Sequence, residues 1–279
     1  MKRRRILVGG VGAIAFLSGC TGEQSNQASS AEADMRVDGI NLQPREIELR
    51  EETTVEISVT NHGEGAGSGE LWYSVGRDRR SFVVDLEGGE TGTFSESFNF
   101  EGVGDVNVEL DATRTSNIRD LDHTATISVG PKKLSVNQAW ENYEGYTISA
   151  DEPDFRETYQ AKSGITGEVE TNQPPEEDQF AFVHVTVEND GNGSGTVPSP
   201  SDFFARVDSE LYDLGVQPLT RRPDFVGDLE DIELYTSGEI PPGTTKSGYV
   251  VFDVPSNAED DYQTGWSSRY SPDQVIYWE

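Results

Sequence analysis

From residue 35 onward the chain alternates apolar and polar positions with a period of two. Val55, Ile57 and Val59 interleave with Glu56, Ser58 and Thr60, the pattern of a strand buried on one face. Similar short runs mark strands at 47–49, 71–75, 82–86, 93–98, 106–110 and 124–129. Gly130-Pro131-Lys132-Lys133 interrupts the pattern. It resumes at 134–140, 146–150, 181–187, 203–207, 248–252 and 275–278, with long connections at 158–179 and 214–237. Helical periodicity is nearly absent. Short strands separated by glycine-rich turns predict an all-β chain, two Ig-like antiparallel β-sandwich domains in tandem over 36–130 and 133–279.

The N-terminus follows a different rule. Lys2, Arg3, Arg4 and Arg5 precede an apolar stretch from Ile6 to Leu17, which is shorter than the roughly 20 residues a spanning helix needs. Basic start, short apolar run and small residues before a cysteine are the layout of a cleaved signal peptide over 1–19. Leu17-Ser18-Gly19-Cys20 resembles a lipobox, which implies a lipid on Cys20, the only cysteine of the chain. Arg3-Arg4 resembles a twin-arginine export signal, which implies passage across the membrane in the folded state. Residues 20–35 then form the lipidated cysteine and a flexible tether. Its stretch 21–34 has no large apolar side chain and would span about 20 Å.

Charge sharpens this picture. The chain has 21 basic and 51 acidic residues, a net charge of −30. Cleavage after residue 19 removes four basic residues and no acid, leaving 17 against 51, a net charge of −34. Self-repulsion on that scale disfavours a compact state in dilute buffer, whereas at about 1 M salt the Debye length is only about 3 Å. Acids scattered through every segment, with only five lysines, resemble the proteins of halophilic archaea. The 26 aromatic residues and the β-branched runs argue against an acidic disordered chain. Nucleic acid is not an expected partner, because it requires a positive footprint.

The two halves echo each other. Val59-Thr60-Asn61-His62-Gly63-Glu64-Gly65-Ala66-Gly67 and Val187-Glu188-Asn189-Asp190-Gly191-Asn192-Gly193-Ser194-Gly195 share the frame Val-x-Asn-x-Gly-x-Gly-x-Gly. Gly89-Glu90-Thr91 and Pro242-Gly243-Thr244-Thr245 follow them in the same order, each ahead of a strand. With Pro44 and the alternating strand to Val59, the first set resembles the cell-adhesion-related (CARDB-like) domain, a seven-stranded Ig-like module. The second half resembles the Ig-like domain of unknown function found in secreted lipoproteins. That likeness lies in Phe182 to Asn189, Ser201-Asp202-Phe203 through Tyr212, and Val250 through Pro255. Neither resemblance implies a catalytic residue or a cofactor.

The residues agree. His62, His123 and His184 follow no ligand spacing, and no nucleophile elbow, phosphate loop or zinc-protease motif occurs. Asp190, Asn192 and Ser194 match the first half of a calcium loop, although the twelfth position, where an acid is required, is Ser201. A plain glycine turn accounts for the same residues. Trp72-Tyr73, Trp140, Tyr143, Tyr146, Trp266, Tyr270, Tyr277 and Trp278 offer either core or a sugar-stacking platform. Arg221-Arg222 and Phe225 lie in the second long connection, as a basic contact site or as a pair that neutralises neighbouring carboxylates. The expected protein is therefore a lipid-anchored, non-catalytic module on the outer face of the cell membrane that binds an envelope protein or glycan. A ligand or sugar receptor accessory to a transport system is the alternative.

Overall fold

Alternation in sequence becomes alternation in burial. Along the strand Thr53–Asn61 every odd-numbered side chain is buried and every even-numbered one is half exposed. The computed structural model describes residues 32–142, 144–163, 166–215, 223–268 and 273–279. Two compact units divide it: the first holds the described residues up to Ile47, with Glu51–Asn99 and Gly104–Val129, and the second holds Glu48–Arg50, Phe100–Val103 and Gly130–Glu279.

The first unit contains β1 (Met35–Gln43), β2 (Glu46–Glu48, which ends at the division), β3 (Thr53–Asn61), β4 (Gly67–Val75), β5 (Asp78–Leu86), β6 (Thr91–Phe98), β7 (Gly104–Leu110) and β8 (Thr124–Gly130). They form a three-stranded sheet β1-β3-β6 and a five-stranded sheet β2-β8-β7-β4-β5. Val55, Ile57 and Val59 from one sheet, and Leu71, Tyr73, Val84, Val108 and Ile127 from the other, are buried as its core. This is the antiparallel β-sandwich predicted from the alternation.

The second unit begins with β9 (Lys132–Leu134), β10 (Trp140–Glu141), β11 (Tyr146–Ala150), β12 (Asp154–Arg156), β13 (Tyr159–Lys162), β14 (Val169–Asn172) and β15 (Asp178–Asn189). It continues with β16 (Gly195–Thr196), β17 (Phe203–Val207), β18 (Glu210–Tyr212), β19 (Asp224–Phe225), β20 (Glu239–Ile240), β21 (Thr245–Pro255), β22 (Gln263–Ser267) and β23 (Val275–Trp278). One sheet runs β10-β11-β15-β12, with β21 paired along β15, and the other runs β18-β17-β22-β23-β9.

Two expectations need correction here. Residues 134–140 are not one strand: β9 and β10 each keep a buried end, Leu134 and Trp140, and Asn137 turns the chain between them at φ 66°. The long connections are not open loops in their described parts. They build a small sheet β14-β13-β19, and Ala161, Phe225, Leu229 and Leu234 pack with Phe180, Phe182 and Val251 in one buried cluster. The cause lies in β15, where Phe180, Ala181, Phe182 and Val183 are all buried. Successive strand residues point to opposite faces, so this strand carries apolar surface on both and needs a cover on each.

Candidate interaction surface

The asparagine frame is built identically in the two units. Asn61 ends β3 and is fully buried; its Oδ1 accepts from the Gly63 N–H at 3.1 Å, and its Nδ2 donates to the carbonyls of Gly65 at 2.8 Å and Leu86 at 3.2 Å. Asn189 ends β15 at 2% exposure. Its Oδ1 accepts from Gly191 N–H at 3.0 Å, and its Nδ2 donates to the carbonyls of Gly193 and Ile240, each at 3.0 Å. The backbones match as well. Asn61 N–H donates to Glu90 and Asn61 O accepts from Gly89, while Asn189 N–H donates to Thr244 and Asn189 O accepts from Gly243. Each amide thus fastens its own turn to the turn leading into the neighbouring strand. Gly89 and Gly243 sit at φ 78° and 68°, a region that favours glycine.

Away from this frame, the β4–β5 hairpin carries the densest positive charge of the described chain. Gly76 at φ 57° and Arg77 form its two-residue loop, and glycine at the first central position lets the twist of the turn match that of the strands. Cross-strand pairing then separates the arginines. Arg80 lies opposite Tyr73 and turns to the inner edge, 3.5 Å from Glu96, which also accepts the Tyr73 hydroxyl at 2.7 Å. Burial first, and then the Glu96 hydrogen bond, push the Tyr73 phenol up. Arg79 lies opposite Ser74 on the outer face and is exposed, as is Arg77. Neither has a carboxylate within ion-pairing distance among the described residues.

Trp72 lies on that outer face opposite Ser81, and the guanidinium of Arg114 sits 5.3 Å from its ring centroid. Asp111 holds Arg114 at 3.5 Å. The Asp111 carboxyl is kept below the usual carboxylate range, chiefly by the hydrogen bond from the Thr113 hydroxyl, with Arg114 and Arg79 adding to it. Val83, 49% exposed, continues the face beyond Ser81. The Arg114 guanidinium lies over the indole, with Arg79, the exposed Val83 and the half-buried Glu70 on the same face and Arg77 in the turn beyond them. Such a surface takes planar anions in two-point hydrogen bonds and holds an apolar group beside them.

The predicted site residues fall elsewhere. Arg3, Arg4, Cys20, Arg221 and Arg222 lie outside the described residues, as do Tyr143 and Tyr270. Phe225 is not available to a partner: it is 4% exposed and packs edge-on to Tyr159 and Phe182. Trp140, Tyr146, Trp266, Tyr277 and Trp278 are buried, so the aromatic residues supply core. In the calcium-loop candidate, Asp190 accepts the Thr147 hydroxyl, while Asn192 and Ser194 are exposed. Among the described residues no three His, Cys, Asp or Glu side chains come together to hold a metal. The signal that sequence reading missed was Arg77-Asp78-Arg79-Arg80, three arginines in four positions of a strongly acidic chain.

Comparison with known proteins bears on the second unit most directly. Residues 158–271 match a family described as a domain of unknown function, DUF4352. No curated protein matches the chain in sequence. Among solved structures, the yjhA protein of Bacillus subtilis is 11% identical, with 52% of this chain and 99% of that one covered at a TM-score of 0.35. An uncharacterised β-sandwich protein of Clostridium difficile is 15% identical, covering 53% and 95% at a TM-score of 0.32. The CARDB domain of the PF1109 protein of Pyrococcus furiosus, solved with di-metal ions, is 15% identical, covering 38% and 98% at 0.28. The chain is an all-β protein of tandem sandwich units, and the DUF4352 match lies within the second of them.

Proposed function

We propose that this protein is an exported lipoprotein, held at the outer face of the cell membrane through Cys20, whose first sandwich binds an acidic envelope protein. The contact is the outer face of β4 and β5, through Arg77, Arg79, Arg114 and Trp72. The observation that carries this reading is that exposed Arg77 and Arg79 close no ion pair among the described residues, in a chain where acids outnumber bases 51 to 21. The hairpin itself needs only Gly76. Arg77 and Arg79 are exposed to carboxylates from outside, and charge complementarity favours a partner as acidic as this chain. At about 1 M salt, long-range steering is screened, so selectivity rests on short two-point contacts that arginine makes and lysine does not.

The test is capture of partners from native membranes in high salt by the wild type, R77Q/R79Q and R45Q/K246Q, the last removing the same charge elsewhere. Only R77Q/R79Q loses the protein partner, by about tenfold or more, as expected for a contact worth at least about 1.4 kcal/mol. An unchanged partner with a folded R77Q/R79Q variant overturns the assignment, and so does recovery of a glycan in place of a protein.

A further inference from the structure

We infer that Asn192 is a site of N-linked glycosylation. Asn192-Gly193-Ser194 is the single Asn-x-Ser/Thr tripeptide of the 279-residue sequence in which x is not proline. All three residues are exposed, in the turn that follows β15. The chain on either side is held from below, because Asn189 accepts from Gly191 N–H and donates to Gly193 O, each at 3.0 Å. Asn192 stands between those two fastened points. Its own carboxamide makes no hydrogen bond to another described residue, and a Cβ added at Gly193 would meet nothing within 4 Å. The acceptor is therefore presented on a pinned turn, with open space beside it.

The matching turn of the first unit shows that the frame does not need these side chains. There Glu64 stands in the place of Asn192 and Ala66 in the place of Ser194, while the buried asparagine and its hydrogen bonds are the same. Asparagine at 192 and serine at 194 thus serve no part of the turn that the twin lacks. The inference rests on export, since the donor and its transferase act outside the cytoplasm. If the chain crosses already folded, the acceptor must also be accessible in the native state, and Asn192 meets that requirement.

The co-reactant is an oligosaccharide joined through its anomeric carbon to a lipid phosphate or pyrophosphate. The Asn192 Nδ2 attacks that carbon and the carbon–oxygen bond to phosphate breaks. The lipid phosphate leaves with the electron pair, and a base of the transferase takes one amide proton. An N-glycosidic bond forms with no change of oxidation state.

Full-length protein recovered from native membranes and digested after glutamate releases the tripeptide between Glu188 and Glu210 for mass spectrometry. The wild type carries a glycan mass on Asn192. N192Q and S194A lose it, while S194T keeps it, because the transferase reads a hydroxyl two residues on. The S194A loss occurs with Asn192 still in place, and an unchanged melting temperature excludes unfolding as its cause. The N-terminal peptide of the same digest reports the lipid on Cys20 independently. Lipid present with Asn192 unmodified overturns the glycosylation alone; a chain found only in the cytoplasmic fraction of the same cells, with neither modification, overturns it together with the export reading.

Discussion

Replacing Asn189 by alanine removes three hydrogen bonds at once, two donated to Gly193 and Ile240 and one accepted from Gly191. The backbone bonds from Asn189 to Gly243 and Thr244 survive, so the loss belongs to the side chain alone. A buried backbone group left without a partner costs about 1–3 kcal/mol, and less where water reaches it. Ile240 is buried, whereas Gly191 and Gly193 border solvent. One full penalty and two partial ones amount to about 2–4 kcal/mol, or about 6–12 °C in melting temperature for a unit of this size. Calorimetry in molar salt is the assay, with the exposed Asn192→Ala as a control that stays within about 0.5 kcal/mol. Asn189→Asp goes further: it loses both donors and turns a buried carboxylate toward two carbonyls. It should be less stable than N189A near neutral pH and recover toward about pH 4, where the protonated acid regains one donor. A melting temperature of N189A or N189D within about 1 °C of wild type refutes the reasoning. N61A should cost at least as much, because Asn61 Oδ1 also accepts from Asp34 N–H at 3.0 Å.

Two further outcomes follow from charge. Asp253 lies on the face of β15 and β21 that the Phe180–Phe225 cluster covers; burial first, and then the Asp178 charge, raise its carboxyl above the ordinary 3.8, and one of its oxygens has no hydrogen bond. The folded state therefore holds the proton more tightly than the unfolded chain, so stability falls as pH rises from the unfolded value through the folded one. Asp253→Asn should raise the melting temperature near neutral pH, with the gain shrinking toward about pH 3; a gain independent of pH, or a loss, contradicts this. The excess of 51 acidic over 21 basic residues predicts a melting temperature that climbs steeply between about 0.1 M and about 2 M salt, as the Debye length drops from about 10 Å to below 3 Å, and a flat profile removes the high-salt reading.

Strands were legible where an alternating run is long enough to record burial on one face, as from Val55 to Val59; the short and mostly exposed β14 and β18 leave no such record. The strands covered on both faces, at 181–187 and 248–252, were legible as apolar runs, but what covers them was not. The run Phe180-Ala181-Phe182-Val183, with Val250-Val251-Phe252 paired beside it, announces apolar surface on two sides. Nothing local says which distant segment supplies the second cover. Phe225, Leu229 and Leu234 do so at successive spacings of four and five residues, which sustain neither a strand period nor a helix period, and their surroundings therefore read as loop. The arginine surface was hidden for another reason. Arg79 and Arg80 are neighbours in sequence, yet the pleat sends one outward and the other to Glu96, and Arg114 joins them only through the fold.

The paired turns separate what the fold requires from what it leaves open. Asn61 and Asn189 close the same three bonds, which takes a carboxamide with two donors and an acceptor on a stem short enough to reach the backbone two and four residues on. Gly67 and Gly195 must be small, since an added Cβ would run into Ala33 in one turn and the Tyr146 hydroxyl in the other. Between these fixed points, His62, Glu64 and Ala66 answer to Asp190, Asn192 and Ser194 with no shared chemistry. Positions that differ while the backbone bonds stay the same are not held by the turn. Whatever Asn192 and Ser194 contribute is directed outward, and the exchange Asn192→Glu with Ser194→Ala, which copies the first turn into the second, should leave the unfolding free energy within about 0.5 kcal/mol of wild type. A larger loss would mean that the turn uses those side chains after all.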